Sequence, residues 1–499
     1  MIGRLGRSGF DFDVLVVGSG SGGGVVASRL AEDPGLRVLL LEAGPDLGAD
    51  IPDSVLHPRL GSGVQEYDWD YLDPSIGLGL PRGRLVGGSS AVNATIALRG
   101  QPQDYDQWVD LGAVGWGWES CLPFFRRLEA DADFGAEPHH GDSGPIHIER
   151  APLLAGEQLY AAACEELGHA RVADHNLPGA IGVGPIPRNI RDGVRQSTLV
   201  TYIAAARPRP NFTLRADALV DQVILEGTRA TGVRLAGGAE IRAGLVVLAA
   251  GAYNTPALLQ RSGIGGREAL EAAGVECRHQ LAGVGQNLMD HPVTLVTLLT
   301  DYVPDPAVLR FPVALKLRSD GGSGLDDLKL SYFPGDAFNM PGLTGLFLEV
   351  NDTRTRGSVA ITSADPAAAP AIRHRFLAEE HDIRLMQAGV RHAAELAGVM
   401  ARSGPCELLL PDQATVDDET QLREHCLQFH GTGYHPAGTC RMGDAADAAA
   451  VVDPRLRVRG LEGLFIADAS VMPALPRCNI NLPTLMIGER AAELVREAL

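Results

Sequence analysis

The sequence predicts an α/β protein: a doubly wound, Rossmann-like dinucleotide-binding domain built discontinuously, with a mixed α/β substrate-binding domain inserted in it. Three observations predict it. A glycine-rich turn, Gly18–Gly23, sits between an apolar run and a helical one. A second buried-strand pattern, Leu245–Ala250, recurs far down the chain. A third, Leu464–Ala467, lies shortly before an apolar-striped C-terminal segment. The sheet is therefore expected to draw strands from both ends of the chain.

The elements follow in order. Val14–Val17 is a short apolar run suited to a parallel strand covered on both faces. The turn then carries Gly18, Gly20 and Gly23 in the GxGxxG spacing, Val25 to Glu32 reads as helix, and Pro34-Gly35 breaks it. A second strand, Val38–Leu41, ends at Glu42. The spacing assigns roles: Gly18 permits a tight turn, Gly20 lets the backbone approach a pyrophosphate, and Gly23 lets helix pack on strand. The helix N-terminus offers its unpaired N–H groups and partial positive charge to phosphate. Glu42 is placed to accept hydrogen bonds from a ribose diol.

Residues 49–80 read as loop. A second glycine cluster, Arg82–Asn93, contains Arg84, Gly87-Gly88 and Ser89-Ser90, small residues that permit close approach to a flat ligand or a phosphate. Residues 150–205 and 300–400 read as mixed α/β without repeats. A short helix, Pro256–Arg261, follows Gly251, and the last helix spans Pro483 to Leu499.

Composition sets limits on function. The chain has 499 residues, 45% hydrophobic and 21% charged, which is enough to bury a large core and is not the signature of disorder. A net charge of −19 repels nucleic acid and anionic membranes, and no apolar run approaches the ~20 residues needed to span a bilayer. Met1 to Phe10 lacks the apolar core of a signal peptide. Seven scattered cysteines, without a CxxC pair, suit a reducing, cytoplasmic setting and no structural metal.

Several stretches together resemble the glucose–methanol–choline (GMC) oxidoreductases. They are Gly83–Asp106, Gly251–Gly265, Val284–His291, Tyr434–Gly443 and Ala467–Pro473, in family order from residue 13 to about 495. The resemblance implies three regions: 10–298 as the N-terminal FAD-binding part, including some substrate domain at about 150–205; 299–354 as a variable substrate-pocket segment; and 355–493 as the C-terminal part. It implies FAD as cofactor. Glu42 would hold the adenosine ribose and Val220 would meet the adenine through its backbone. Arg84, Gly88, Ser89 and Asn93 would lie against pyrophosphate and isoalloxazine, and Asp468 with Ala469 would close over the cofactor. Some relatives tether FAD through a histidine just before the residue matching Asn93; Val92 stands there, so FAD is expected to be non-covalent.

The same resemblance places a catalytic base at His435 and its partner at Asn479. An alkoxide donates hydride far better than an alcohol does, so a base beside the hydroxyl lowers the barrier, by ~10²–10⁴-fold in rate. Histidine is largely neutral near pH 7 and suits that task. An asparagine cannot be the base, so His435 takes the proton while Asn479 donates a hydrogen bond to the substrate oxygen. The implied activity is oxidation of a primary or secondary alcohol to the carbonyl, with oxygen or another electron acceptor reoxidising the flavin, which leaves oxidase and dehydrogenase open. The alternative is a hydroxynitrile-lyase-like enzyme that keeps FAD without net redox; a non-catalytic flavoprotein is disfavoured by the His435/Asn479 pair.

The remaining candidates take plainer readings. His139, His140 and His147 are expected at the surface, His291 as structural, and Cys440 and Cys478 as packing. Tyr302, Phe311, Tyr332, Phe333, Phe338 and Phe347 fall in or near a short variable segment and could line a pocket or build core.

Overall fold

The computed structural model describes residues 10–58, 65–300, 311–319, 324–334 and 342–499. Two seven-stranded sheets dominate it. The first runs Phe212–Arg215, Val38–Leu41, Phe12–Val17, Glu240–Leu248, Arg229–Leu235, Val220–Glu226, with Leu464–Ile466 joined to Glu240–Leu248. Phe12–Val17 is parallel to both neighbours, with Val14 opposite Val38 on one side and Leu245 on the other. Val14, Leu15, Val16, Val38, Leu40 and Val246 are fully buried, as unbroken apolar runs in a doubly covered sheet require. The sheet thus takes strands from near both termini, as the sequence predicts.

The first helix, Ser21–Leu30, starts inside the glycine turn rather than at Val25. Its neighbours explain why: a Cβ on Gly22 would lie 1.9 Å from the Ala467 carbonyl oxygen, so only glycine lets the first turn rest on the end of the Leu464–Ile466 strand. The C-terminal helix, Asn481–Glu497, packs beside it and begins two residues before Pro483. A proline in the first turn lacks only an amide that has no helical partner anyway. Glu489 on this helix is wholly buried and accepts from Arg29 Nε (3.0 Å), Arg127 Nε (2.9 Å) and the Tyr202 hydroxyl (2.6 Å), tying distant parts of the chain together.

The helix expected at Pro256 starts earlier, at Gly251. Pro256 cannot bond the carbonyl four residues back, Ala252, and the Thr439 hydroxyl donates to that oxygen instead (2.6 Å). Residues 49–80, expected as loop, contain a short helix at Asp53–Leu56 and a hairpin of Tyr71–Asp73 with Leu78–Leu80. Buried Tyr71 stacks on Trp69 (5.8 Å) and meets Tyr253 edge-on (5.7 Å), aromatic contacts that a scan for apolar runs does not register.

The second sheet is antiparallel, in the order Cys406–Leu410, Pro292–Thr300, Leu343–Val350, Leu328–Phe333, Val313–Leu317, Gly182–Pro185, with His430–Thr432 paired to Pro292–Thr300. The long helix Glu380–Ser403 packs on it, contributing Leu385, Met386, Val390 and Ala393 to a second core. His430–Thr432 leads directly into the segment that carries His435.

Candidate active site

A cavity of about 560 Å³ runs from the glycine turn to the edge of the second sheet. Its walls include Gly18–Gly22, Glu42, Val220, Arg84, Gly88, Ser89, Asn93, Asp468 and Ala469, and at the far end His435 and Asn479. Gly18 has φ +96°, a left-handed value that disfavours any side chain, and its amide bonds the Leu41 carbonyl (2.8 Å) to bring the two strand ends together. Gly20 differs: a Cβ there would find nothing nearer than Gly88 Cα at 3.9 Å, so its bare backbone faces open cavity. No side chain caps the helix that begins at Ser21, which leaves its first amides to the cavity. Gly23 does not line the cavity; its Cβ would collide with the Gly18 carbonyl and with Ala249 on the neighbouring strand.

Glu42 is buried, and three donors orient it: Ser19 N (3.0 Å), Ser19 Oγ (2.6 Å) and Gly44 N (3.0 Å). Burial nonetheless pushes its pKa up. The Arg84 guanidinium lies over the Trp69 ring at 5.1 Å, the Ser89 hydroxyl accepts from Gly83 N (3.2 Å), and Asn93 Oδ1 accepts from Thr95 N (2.9 Å). Asp468 turns its carboxylate to the helix at Gly251, accepting from Gly251 N (2.8 Å), Thr255 Oγ1 (2.6 Å) and Ser470 N (2.8 Å). It therefore braces the wall of the cavity as a cap for that helix and for the turn that follows.

At the opposite end Asp290 shapes the turn that presents His435. Its carboxylate accepts from His435 N (2.8 Å), His291 N (2.8 Å) and the Thr432 hydroxyl (2.6 Å); burial pushes its pKa up to about 6 against those donors. Between Thr432 and His435, Tyr434 adopts φ +63°, an uncommon value for a tyrosine, and its carbonyl is held by Arg82 Nη2 (3.0 Å).

His435 is buried with both ring nitrogens engaged. Nε2 lies 2.9 Å from Asn479 Nδ2, and Nδ1 lies 3.0 Å from His291 Nδ1. Behind them Glu349 sits 3.8 Å from His435 Nδ1 and 3.7 Å from His291 Nδ1. Lys329 Nζ is 2.8 Å from Glu349 and 2.8 Å from Asn479 Oδ1. Burial holds the His435 pKa well below its ordinary value; Glu349 opposes this, and His291, Lys329 and Arg82 reinforce it. Burial likewise takes His291 down to about 4. For Glu349 burial acts the other way, but Lys329 and the two imidazoles outweigh it and bring the pKa to about 2. The donor atoms of His291, Glu349 and His435 converge as they would around a metal ion, yet the cation answering Glu349 is the Lys329 ammonium.

The structure corrects part of the sequence reading. His140 is not a surface residue: it is buried against Glu129 (3.0 Å), Asp131 (3.3 Å) and Asp174 (2.9 Å), with Arg99 and Arg150 completing the network. His139 and His147 are half-buried. His291 contacts His435 directly. Cys440 and Cys478 are buried, as read, and all seven cysteines are free. Of the aromatic group, Phe311 packs on Phe333 (4.9 Å) and Phe347 (5.2 Å), whereas Tyr332 faces the core beside Tyr160 (5.6 Å); none of the four lines the cavity. Tyr302 and Phe338 lie outside the described residues. Lys329 and Glu349 were not anticipated, and Arg82 and Asp290 entered the sequence reading only as members of the Arg82–Asn93 and Val284–His291 stretches. The available signal was a charge inside an apolar strand, Leu328-Lys329-Leu330 and Leu348-Glu349-Val350.

Comparison with known proteins accords with this arrangement. The sequence matches the GMC oxidoreductase family over residues 12–293 and 353–488. It is 34% identical to oxygen-dependent choline dehydrogenase 1 of Chromohalobacter salexigens, over 97% of this chain and 95% of that protein. It is 37% identical to choline oxidase of Arthrobacter globiformis, over 98% and 95%. The structure resembles pyridoxine 4-oxidase from Mesorbium loti with a TM-score of 0.89 and 32% identity, covering 98% of this chain and 99% of that one. These relatives are redox enzymes, which disfavours the lyase alternative. No described helix is long and apolar enough to cross a membrane. The chain belongs to the GMC oxidoreductase family and is an FAD-dependent alcohol oxidoreductase.

Proposed function

We propose that the protein oxidises a small alcohol to the carbonyl, with His435 as general base and Asn479 donating a hydrogen bond to the substrate oxygen. The observation that carries this reading is the 2.9 Å contact between Asn479 Nδ2 and His435 Nε2 at the end of the cavity. An amide nitrogen donates only, so Nε2 accepts and carries no proton, and a substrate hydroxyl that displaces the amide meets its lone pair. The imidazolium formed on accepting that proton lies 3.8 Å from the Glu349 carboxylate, which offsets its charge. Asn479 keeps a second N–H for the developing alkoxide. FAD, when bound, supplies the hydride acceptor at flavin N5.

The cavity fits that cofactor, since the uncapped helix at Ser21 and the open backbone of Gly20 suit a pyrophosphate. In this reading Gly18, Gly20, Gly88 and Ser89 border the phosphates, Gly23 supports the turn, and Glu42 takes the ribose. Val220 meets the adenine, Arg84 and Asn93 border the pyrophosphate and isoalloxazine, and Asp468 with Ala469 completes the wall. Val92 provides no nucleophile for a covalent tether. We read 10–298 as the N-terminal FAD-binding region with part of the substrate domain at about 150–205, 299–354 as the variable substrate-pocket segment, and 355–493 as the C-terminal region that carries His435 and Asn479 and closes the FAD domain.

The test is anaerobic mixing of the yellow protein with a panel of alcohols, headed by choline and pyridoxine, the alcohols its relatives are named for. Flavin bleaching by an alcohol supports oxidation, and reoxidation in air with hydrogen peroxide makes it an oxidase. His435→Ala should hold FAD yet lose ~10²–10⁴-fold in reduction rate; reduction at the wild-type rate overturns the base assignment.

A further inference from the structure

Lys329 lies on the Leu328–Phe333 strand and is buried. A lysine in such a place needs partners, and two are at hand: Glu349 Oε1 and Asn479 Oδ1, each 2.8 Å from Nζ. The second contact decides a question of orientation. An ammonium has only donors, so Asn479 must turn its carbonyl oxygen to Lys329. Its amino group is then forced to the opposite side, 2.9 Å from His435 Nε2. That nitrogen meets a donor and must accept, so the neutral ring carries its proton on Nδ1, which donates to His291 Nδ1 at 3.0 Å. Lys329, Asn479, His435 and His291 thus form a chain of hydrogen bonds whose direction the ammonium sets, with Glu349 alongside at 3.7 and 3.8 Å from the two imidazoles.

We propose that Lys329 is a positioning residue for the oxidation: through Asn479 it fixes the tautomer of His435 that leaves Nε2 free of a proton. The inference rests on the reading of His435 as the base. Without Lys329 the Asn479 amide has no reason to prefer either flip. The flipped form puts oxygen against Nε2, which favours the tautomer that carries its proton there and cannot act as base. Glu349 would also lose its cation and would draw a proton onto the neighbouring imidazoles. The charged and titratable groups around His435 are Arg82 at the start of the second glycine cluster, Asp290 and His291 before the Pro292–Thr300 strand, Lys329, and Glu349 on the Leu343–Val350 strand; of these only Lys329 bonds Asn479.

Two measurements on the FAD-bound protein test this. The first needs no substrate: ¹⁵N spectra of histidine-labelled protein near neutral pH, with His435 assigned by its loss in His435→Gln. Wild type should show His435 Nε2 unprotonated, and Lys329→Met should show it protonated for a large share of molecules. The second is the pH profile of anaerobic flavin reduction at saturating alcohol. Lys329→Met should be slower by about tenfold at pH 7, with its acid limb moved to higher pH, KM within about twofold, and a deficit that persists at alkaline pH because a tautomer ratio does not change with pH. A protonated Nε2 in wild type, or a Lys329→Met variant with both tautomer and pH profile unchanged, overturns the proposal. Should Lys329→Met fail to fold, the wild-type tautomer alone decides. If His435→Ala still reduces flavin while the tautomer follows Lys329, the base assignment fails and the positioning of His435 stands.

Discussion

Nδ1 of His291 lies 3.0 Å from Nδ1 of His435, so one ring must present a proton there and the other a lone pair. Because Nε2 of His435 already accepts from Asn479, His435 is the donor and His291 the acceptor. Removing the acceptor leaves the His435 Nδ1–H to turn towards Glu349, and it also removes an influence that keeps the His435 pKa low. His291→Ala should therefore keep FAD and reduce it about tenfold more slowly, with the acid limb of the rate shifted upward. Stopped-flow reduction across pH 5–9 checks this, and an unmoved limb would show that His291 only fills space.

Gly18 and Gly20 sit two residues apart yet should fail differently when substituted. A Cβ at Gly18 would lie 2.4 Å from the Ala249 carbonyl oxygen in a left-handed conformation, so Gly18→Ala should lower the melting temperature of the apoprotein. Gly20 has φ −64° and room for a Cβ, but that Cβ would stand at the open cavity. Gly20→Val should fold normally and bind FAD at least ~10-fold more weakly, the equivalent of about 1.4 kcal/mol. Flavin release followed by fluorescence, beside a thermal melt without flavin, separates the two outcomes.

This contrast marks how far the sequence was readable. The GxGxxG spacing, the strand that follows and Glu42 are local features, and the structure keeps them together at one end of one cavity. His435 and Asn479 were legible through motif resemblance, although nothing in their spacing predicts a 2.9 Å contact across 44 residues. His140 defeats a surface reading because its carboxylates come from two segments: Glu129 and Asp131 share one short strand, and Asp174 lies 34 residues beyond His140 along the chain. Lys329 and Glu349 were missed for a related reason. A charge within a strand usually faces water, and only the pairing of Ser331 with Phe347 and of Lys329 with Glu349 across adjacent strands brings these two opposite charges together inside.

Glu489 tests whether the termini stabilise the fold through a buried charge. Its carboxylate takes donors from Arg29, Arg127 and Tyr202, and without it the tyrosine hydroxyl is left buried beside two guanidiniums. Losing one partner of a buried pair costs ~3–5 kcal/mol. Arg29 and Arg127 keep 22% and 39% of their side-chain exposure and can recover water, so Glu489→Ala should cost about 2–3 kcal/mol. Urea unfolding of the apoprotein measures it; a loss below ~1 kcal/mol would mean that packing of the two helices, not the charge, holds the ends.

Titration of the buried groups sets a stability optimum. Burial lowers His175 to about 3, His291 to about 4 and His374 to about 3, and holds His435 well below its ordinary value. In the unfolded chain each binds a proton near pH ~6.5, so between roughly pH 4 and 6.5 the unfolded state holds more protons and stability rises with pH. Asp104 and Asp290, pushed up to about 6 chiefly by burial, oppose this over roughly pH 4–6, as do Glu42, Glu157, Asp221, Asp327 and Asp468, which burial also raises. His169, His392, His425 and His430, lowered by burial, act with the first four histidines, so among the described residues eight imidazoles stand against seven carboxyls. Above pH ~6.5 the sign reverses through His140. Burial works against its charge, yet Asp131, Asp174 and Glu129 raise it to about 10, so the native state keeps a proton that the unfolded chain releases. Its stabilisation is complete below pH ~6.5 and declines as pH rises towards about 10. The melting temperature of the apoprotein should therefore peak near pH ~6.5 and fall on both sides. His140→Gln should lower the peak, because three buried carboxylates lose their imidazolium, and should flatten the alkaline slope while leaving the acid slope in place. An alkaline slope unchanged in that variant would assign the decline to other groups.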